Sequence, residues 1–529
     1  MHTPRLLLIL ALLCTVFRAA VSAAEAVDVG TRRQVFIDAL FMEDARGVTL
    51  RTHQPRKTGE STITTDRPWE RGGLGPFSCV LWDNGRYHLW YHAMDAKLWH
   101  TSPTAGSICY ATSDDGIVWK KPDLGIVEYE GSRRNNIVIG HGAAELHIGQ
   151  DGMMVFVDPN APTAERFRMT NRFSKKGEGK SDGLNLMSSG DGIHWKLTHE
   201  ELMTYRPEVK GHHLDSQNVI FWDESLKKYV AFVRRNLKDK ENQGRAIARA
   251  ESDRLGDFPL TQDLPVVFLP DPPDPAHGGV SVVDYYNSAA LRYPWADRAY
   301  YMFPQAYYHY TRSLREFAQD APTNAGPIDT QFAASRDGLR WERYDRRPFV
   351  RVGMKGEFDC HSARLIHGLV PDRAGRELYL YYRGSDWLHG WDRDERNRKL
   401  LTGLGLGAAQ DTTVLSRLVI RRDGFVSVSA GQSVGEFITP TLKFAGRRLR
   451  VNVDTSATGI ARIALLDSSG RSIPGHGLED CDLIHTANEI NRTVTWRGAA
   501  DLPASAHGAV RLRFVLRNTE LYAFQFSDE

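Results

Sequence analysis

The segment Ser113-Asp114-Asp115-Gly116-Ile117-Val118-Trp119 is the strongest indication of the fold, because its pattern Ser-x-Asp-Gly-x-x-Trp occurs three times in the chain. The other two copies run from Ser189 to Trp195 and from Ser335 to Trp341. In each copy we expect the Asp side chain to accept hydrogen bonds from backbone amides, while Gly supplies the positive φ of a tight hairpin. We interpret the pattern as a structural turn that fastens repeated units; a sugar-contacting turn is the alternative.

The spacing of these turns indicates about five repeats. Asp115, Asp191 and Asp337 are 76 and 146 residues apart, so we expect a degenerate copy at Ser252 to Phe258. Aromatic-rich strands recur about every 73 residues, and they begin at Tyr87, Phe167, Tyr229, Tyr300 and Leu378. Repeats of about four strands each predict a five-bladed β-propeller over residues 34–435.

Residues 436–529 break this repeat. They contain short strands joined by turns such as Asp467 to Gly470, a spacing that predicts a small antiparallel β-sandwich. The predicted fold is therefore all-β: a five-bladed β-propeller followed by the sandwich. We expect the sandwich to pack on the propeller; carbohydrate binding is the alternative role.

Residues 1–23 have the pattern of a cleaved secretion signal. Arg5 precedes an apolar run from Leu6 to Phe17, and small residues lie before Ala24. The run is too short for a membrane anchor, and no later stretch is apolar enough to span a bilayer. The sequence thus predicts a secreted or periplasmic protein without a membrane span.

Charge and cysteine content exclude several function classes. The 67 Lys and Arg residues nearly balance the 65 Asp and Glu residues, so no strong basic field attracts nucleic acid. The cysteines beyond the signal show no CxxC or metal-finger spacing, and we predict neither a metal nor another cofactor. Cys79 and Cys109 either form a disulfide or remain buried thiols.

Acidic residues lie at or near the start of several repeats. In a propeller, residues just before the innermost strands converge on one face of the central funnel. The predicted catalytic carboxylates are Asp66, Asp215, Asp284, Glu357 and Asp359. Converging carboxylates raise at least one pKa, which provides a general acid beside an ionised base or nucleophile, the pair that glycosidic cleavage requires. The alternative is that each acid caps a strand or pairs with an arginine.

Aromatic, amide and basic side chains near these acids are the predicted substrate-binding residues. They are Trp69, Glu70, Asn218, Tyr285, Asn287, His361, Arg383 and Trp387. Glu70 is also the alternative to Asp66 as the acid of the first repeat. The second repeat offers only Asp151. We place His212, His213, His309, His389 and Trp391 on the same rim, without a short ligand spacing for a metal. Ordinary packing between blades is the alternative role for these side chains.

The segment from Cys109 to Gly125, continued by Asn135-Asn136-Ile137-Val138, resembles the five-bladed β-propeller glycosidase superfamily. That superfamily contains invertase/levanase-like and arabinanase/xylosidase-like enzymes. The likeness is closest to secreted bacterial members with a C-terminal sandwich, whose phrases resemble those at residues 446–454, 478–482 and 521–526.

The resemblance implies a glycoside hydrolase that uses three acids from successive blades: a base or nucleophile, a supporting Asp and a general-acid Glu. The chain lacks the Asn-Asp-Pro-Asn-Gly signature of the first blade, so Asp66 or Glu70 would take that role. Asp215 and Asp284 match the supporting acid and the proton donor, although both are Asp, and Glu357 is the one Glu at a late blade start.

The predicted function is hydrolysis of a poly- or oligosaccharide. Three alternatives stay open: a non-catalytic carbohydrate-binding propeller, a glycoside phosphorylase that holds phosphate with Arg and His of the rim, and a protein-interaction scaffold. The sequence leaves the sugar, the linkage and the stereochemistry undetermined.

Overall fold

The computed structural model describes residues 26–95, 106–140, 152–174, 182–205, 214–238, 243–277, 280–309, 325–390, 395, 399, 402–403, 412–503, 506 and 509–529. The predicted secretion signal, residues 1–23, lies outside the described residues, as do Asp151, His212, His213 and Trp391. The described chain is an all-β protein, as predicted. Its short 3₁₀ turns are Ala39–Phe41, Pro68–Glu70, Thr163–Glu165 and Thr261–Asp263. No helix in these ranges is long and apolar enough to cross a membrane.

Five strands precede the first repeat. They are β1 (Val27–Gly30), β2 (Gln34–Val35), β3 (Glu43–Arg46), β4 (Val48–Thr52) and β5 (Arg56–Ile63). All five pair with strands from the C-terminal part of the chain.

Three antiparallel sheets follow, each built from strands that are consecutive or nearly consecutive in the sequence. The first contains β6 (Leu74–Asp83), β7 (Arg86–Met94), β8 (Gly106–Ser113), β9 (Trp119–Lys120) and β10 (Ile137–Ile139). The second contains β11 (Met154–Val157), β12 (Phe167–Ser174), β13 (Asp182–Ser189) and β14 (Lys196–Thr204). The third contains β15 (Val219–Asp223), β16 (Lys228–Lys238), β17 (Gln243–Ser252) and β18 (Val266–Phe268).

The fourth repeat is divided into shorter strands. They are β19 (Ala276–His277), β20 (Val280–Ser281), β21 (Val283–Tyr285), β22 (Leu291–Arg292), β23 (Tyr300–Met302), β24 (Gln305–Tyr308), β25 (Ile328–Thr330) and β26 (Ala333–Ser335). Strands β22, β23 and β26 form one sheet, whereas β21, β24 and β25 join the sheet of the fifth repeat.

The fifth repeat contains β27 (Ser362–Leu365), β28 (Val370–Pro371), β29 (Glu377–Ser385) and β30 (Thr413–Arg421). Strand β5, from the other end of the chain, pairs antiparallel with β30 and supplies the outer strand of this sheet. The sheet is therefore completed by a strand that is more than 300 residues away in sequence.

The strands that begin the repeats contact one another in a closed circuit. Strand β6 contacts β11, β11 contacts β15, β15 contacts β22, and β28 contacts β6. The fourth and fifth repeats are joined at His367, which lies between β27 and β28 and whose Nε2 is 3.2 Å from the carbonyl of Ala290. The backbone N–H of His367 also donates to the carbonyl of Ser78, in the first repeat, at 3.1 Å. The last repeat thus lies against the first.

The three Ser-x-Asp-Gly-x-x-Trp turns have the hydrogen bonds expected from the sequence. In the first, Asp115 Oδ1 accepts from the amides of Ile117 and Val118 at 2.8 and 2.9 Å, and Ser113 Oγ accepts from the amide of Gly116 at 2.9 Å. The same bonds form around Asp191 and Asp337.

Each turn also packs against the preceding sheet of the circuit. The indole N–H of Trp90 donates to the carbonyl of Gly192 at 2.7 Å, and Tyr381 OH donates to the carbonyl of Gly116 at 2.5 Å. The Trp of each turn packs on an aromatic ring of that same sheet, with ring centres 5.6, 6.4 and 5.8 Å apart for the pairs Trp119–Tyr381, Trp195–Trp90 and Trp341–Phe232. The repeated sequence pattern therefore joins neighbouring sheets.

Most of the C-terminal strands form two further sheets. The C-terminal strands are β31 (Val426–Ala430), β32 (Gly435–Ile438), β33 (Leu442–Phe444), β34 (Arg448–Asp454), β35 (Ile460–Leu466), β36 (Ile484–His485), β37 (Asn488–Thr493), β38 (Arg511–Arg517) and β39 (Thr519–Ser527). One sheet has the order β37-β34-β39-β31-β4, with β2 on β39, and the other has the order β3-β32-β38-β35-β36. Both sheets contribute to one hydrophobic core, in which Phe36 contacts Phe437 and Phe524.

The sheet pairing differs from the predicted division at residues 435 and 436. Strands β2, β3, β4 and β31 belong to the two C-terminal sheets, although all four fall within the range 34–435, and β1 pairs in parallel with β33. The repeat period could not reveal this, because pairing between distant strands leaves no periodic signal in the sequence. The four described cysteines are free, and Cys79, Cys109 and Cys481 are buried.

Candidate functional site

Asp284, on β21, lies in a buried polar cluster. Only 2% of the residue is exposed, and its Oδ2 lies 2.7 Å from Arg245 Nη1 and 2.7 Å from His309 Nε2. A Cβ atom on Gly244 would lie 1.9 Å from Asp284 Oδ1, so only glycine allows the carboxylate to lie against β17. The Arg245 guanidinium favours a negative charge on this carboxylate.

Asp215 comes from the loop before β15, in the third repeat. It forms an ion pair with Arg234 of β16. Asn218 fixes this loop, because its Nδ2 donates to the carbonyls of Leu214 and Ser216 at 3.0 and 2.7 Å, and its Oδ1 accepts from the amide of Arg234 at 2.9 Å. About a third of the Asp215 side chain, 34%, is exposed, so a ligand can reach it.

The ring of Tyr286 connects these two acids. The guanidinium carbons of Arg245, Arg364 and Arg234 lie 4.7, 5.5 and 5.9 Å from its ring centre. Arg245 is the partner of Asp284 and Arg234 is the partner of Asp215. Two predicted carboxylates from different repeats therefore reach the same cluster.

Aromatic side chains form one wall of this cluster. The ring of His389 lies 5.3 Å from Tyr286 and 4.8 Å from Tyr307, centre to centre, and Tyr307 lies 4.1 Å from His309. Tyr286, Tyr307 and His309 are all buried.

Two further buried arginines lie opposite each other in the fifth repeat. Arg364 of β27 is paired in register with Arg383 of β29. Arg364 Nε donates to Ser362 Oγ at 3.2 Å, and Arg383 Nε donates to the carbonyl of Leu74 at 2.5 Å. Burial, together with the charge of Arg364, lowers the pKa of Arg383 to about 9. Burial and Arg245 lower the pKa of Arg364 to about 10, so both remain cations at neutral pH.

The acids predicted for the first repeat have another environment. Glu70 is fully buried, and its two carboxylate oxygens accept from Lys121 Nζ at 2.9 and 2.8 Å. Tyr91 OH also donates to it, at 2.6 Å. Burial raises the pKa of Glu70, and Lys121 opposes that effect.

Asp66 lies at the exposed side of the same lysine. Its side chain is 57% exposed and forms an ion pair with Lys121. Partial burial opposes ionisation, but the hydrogen bond and charge of Lys121 lower the pKa of Asp66 below its usual value. Trp69 is anchored by a bond from its indole N–H to Asn136 Oδ1 at 3.1 Å.

The two acids predicted for the fifth repeat have separate partners. Asp359 is buried and accepts from Lys57 Nζ at 2.5 Å and from Tyr382 OH at 2.9 Å. Because neighbouring residues of a strand face opposite sides, Tyr382 and Arg383 place Asp359 and the arginine pair on opposite faces of the sheet. Glu357 is exposed, and its Oε2 accepts from the amide of Met354 at 2.8 Å.

The remaining predicted binding residues mostly make structural contacts. Tyr285 faces away from Asp284, and its OH donates to Asp274 Oδ2 at 2.7 Å. Asn287 Oδ1 accepts from the amide of Gln217 at 3.0 Å, and His361 Nδ1 lies 2.7 Å from the carbonyl of Asp386. The indole N–H of Trp387 is buried and finds no hydrogen-bond partner among the described residues.

Four of the residues that surround Asp215 and Asp284 were not among the residues predicted from the sequence: Arg234, Arg245, Arg364 and Tyr307. The sequence did contain a signal for the arginines. In the third and fifth repeats an arginine directly follows an apolar or aromatic strand residue, as in Val233-Arg234, Ala363-Arg364 and Tyr382-Arg383. Within the described ranges, no group of three His, Cys, Asp or Glu side chains is arranged to hold a metal ion.

Neither a family model nor a curated protein matches the chain. Similar solved structures include a thermostable family-43 glycoside hydrolase, with 15% identity, a TM-score of 0.43, and coverage of 70% of this chain and 95% of that one. Another is an N-acetylgalactosamine deacetylase from F. plautii in complex with blood group B trisaccharide, with 11% identity, a TM-score of 0.45, and coverage of 71% and 96%.

A third similar structure comes from work on the GH130 family of mannoside phosphorylases, which contains glycoside hydrolases that target beta-1,2 mannosidic linkages in Candida mannan. It has 15% identity, a TM-score of 0.39, and coverage of 71% of this chain and 95% of that one. Likenesses at this level carry no argument about the reaction, which has to be derived from the side chains.

Proposed function

We propose that this chain is a secreted glycoside hydrolase built on a five-bladed β-propeller and a C-terminal β-sandwich. The closed circuit of repeat-starting strands supports the propeller, and the two C-terminal sheets around one core support the sandwich. We place the propeller at residues 53–425 and assign residues 27–52 and 426–529 to the sandwich, on the basis of sheet pairing.

One observation carries the proposed activity. Asp215 and Asp284 come from different repeats, and Arg234 and Arg245, their ion-pair partners, both pack on Tyr286. Two carboxyl groups across a bond are the chemical requirement for glycosidic cleavage. Aromatic rings beside them provide the flat surfaces that sugar rings contact.

The different environments of the two acids suggest their roles. Asp284 is buried between Arg245 and His309, so it stays negative and stabilises the positive charge that develops on the sugar, or acts as nucleophile or base. Asp215 is the accessible member. Its ion pair with Arg234 favours the ionised form, so proton donation to the leaving oxygen requires that a bound sugar both removes water from Asp215 and displaces Arg234 from it.

The other predicted acids fit structural roles better. Glu70 and Asp359 are each buried against a lysine and a tyrosine hydroxyl, as expected of carboxylates that stabilise packing. Asp66 and Glu357 are exposed, and we keep them as residues of the substrate rim, with Trp69, His361 and Trp387.

The test compares Asp215→Asn and Asp284→Asn with the unchanged protein. Release of reducing ends is measured over a panel of plant and algal glycans, with folding checked by circular dichroism. Each change is expected to lower the rate by about 10²-fold or more. Asp274→Asn is the matched control, because Asp274 is also a buried acid paired with an arginine, Arg343. Full activity of both Asn variants contradicts the assignment.

A glycoside phosphorylase is the second candidate, because the arginines around Tyr286 can hold phosphate. In a phosphorylase, inorganic phosphate replaces water and the product is a sugar phosphate. Turnover that requires added phosphate favours this reaction over hydrolysis.

A further inference from the structure

Arg364 and Arg383 form a buried pair of like charges. They lie directly opposite each other on β27 and β29, and only 3% and 6% of the two residues is exposed. Like charges directly opposite in a sheet are destabilising, and a buried charge without a counter-charge is more so. The free protein therefore maintains an arrangement that works against its own stability.

The pair lacks the acid partners that other buried arginines have. Among the described residues, neither Arg364 nor Arg383 forms an ion pair with a carboxylate; Asp386 is the acid whose charge acts on Arg383. By contrast, Arg249 pairs with Glu251 at 2.6 Å, and Arg343 pairs with Asp274 at 2.8 Å. Packing alone thus does not explain this pair.

The positive charge continues from this pair to the two acids. Arg364 lowers the pKa of Arg383, Arg245 lowers the pKa of Arg364, and Arg245 also lowers that of Arg234, each in addition to burial. Arg245 and Arg234 are the partners of Asp284 and Asp215. Four arginines therefore lie near the candidate carboxylates, and two of them, Arg364 and Arg383, have no carboxylate partner in the described part of the chain.

We propose that this group of four residues, Arg234, Arg245, Arg364 and Arg383, binds an oxyanion during turnover. A guanidinium group presents a planar fork of donors that matches a carboxylate, sulfate or phosphate. The inference rests on the proposed function, since it names the substrate class of the same site. The oxyanion is either an acidic group of the glycan or free inorganic phosphate.

Binding is measured by calorimetry on the full chain with four probes: an oligogalacturonate, a sulfated galactan oligosaccharide, a neutral xylo-oligosaccharide and inorganic phosphate. We expect at least one anionic probe to bind, and Arg364→Met to weaken its affinity by about tenfold or more. Arg249→Met, which removes a buried arginine outside the group, is expected to leave the affinity unchanged.

Thermal melting gives a second readout. Arg364→Met is expected to raise the melting temperature of the free protein, because it removes one charge of the buried pair, and to abolish the rise that the anion causes in the unchanged protein. If Arg364→Met does not fold, Arg364→Lys keeps the charge without the planar fork and is expected to weaken binding in the same direction.

The two sources of the oxyanion give different kinetics. Faster cleavage of acidic than of neutral glycans, without added phosphate, identifies the glycan; a requirement for phosphate identifies the free ion. Absence of binding by all three anions, or binding that Arg364→Met and Arg364→Lys leave unchanged, overturns the inference. If the protein cleaves neutral glycans but binds no anion, the oxyanion inference is overturned and the proposed function stands. If the protein binds an anion but cleaves no glycan, the proposed function alone is overturned.

Discussion

The glycines of the repeated turns offer a graded test of how the sheets are joined. Gly116, Gly192 and Gly338 occupy the same position of three equivalent turns, with φ of 72°, 76° and 70°. Replacing each by alanine adds one methyl group in the same backbone conformation. The surroundings differ, because each turn packs on a different neighbouring sheet.

The expected magnitudes follow from the space around each added Cβ. At Gly192 it would lie 2.7 Å from Trp90 Cζ2, at Gly116 it would lie 3.0 Å from Tyr379 Cδ2, and at Gly338 the nearest atom, Arg249 Nε, would be 3.4 Å away. The left-handed conformation costs about 1 kcal/mol at each position. Steric contact adds about 1–3 kcal/mol at Gly192, less at Gly116 and almost nothing at Gly338.

Gly85 supplies the matched control, since it has φ of 78° in the turn between β6 and β7 and no atom within 4 Å of an added Cβ. Urea unfolding of the four single variants gives the free energy of unfolding of each. We expect the order of destabilisation Gly192→Ala, Gly116→Ala, Gly338→Ala, with Gly338→Ala equal to Gly85→Ala. Equal losses at all four positions would refute contact between the turns and the preceding sheets.

Two further predictions concern buried acids. Lys121→Met leaves Glu70 buried without its cation, so we expect the free energy of unfolding at pH 8 to fall by about 3–5 kcal/mol. The loss should be smaller at pH 5, because protonation neutralises Glu70. An equal loss at pH 5 and pH 8 would contradict this prediction. Burial raises the pKa of Asp329 to about 7 from 3.8, against opposing bonds from Gln331 and Tyr308. Stability should therefore fall by about 4 kcal/mol as the pH rises from about 4 through 7. Urea unfolding at several pH values should show that Asp329→Asn removes this fall; an unchanged pH dependence would contradict it.

The all-β class and the repeated turns were the part of the fold that sequence could predict. The turn at Asp115 and its two copies depend on local hydrogen bonds between residues two and three apart, so their chemistry is visible in the sequence. The positions of β1 to β5 were not predicted, because each pairs with a strand near the other end of the chain. Nothing local distinguishes such a strand from one that pairs with its sequence neighbour.

The candidate site was predictable only in part. Asp215 and Asp284 stand out in the sequence as acids at repeat starts, and their partners Arg234 and Arg245 pack on the same ring, Tyr286. Glu70 and Asp359 satisfied the same pattern, yet each lies against a lysine that sequence spacing did not connect to it, Lys121 and Lys57. Arg383 was among the predicted binding residues, but Arg364 was overlooked because a basic residue in a strand of alternating pattern usually marks an exposed position, whereas Arg364 is buried.

The most direct measurement is a crystal structure of Asp284→Asn with an uncleaved acidic oligosaccharide. We expect the glycosidic oxygen to lie within hydrogen-bonding distance of Asp215 and the acidic group of the sugar to contact Arg364. A saccharide bound only in the groove lined by Arg421, Asn488 and Tyr522, with no sugar at Tyr286, would contradict it.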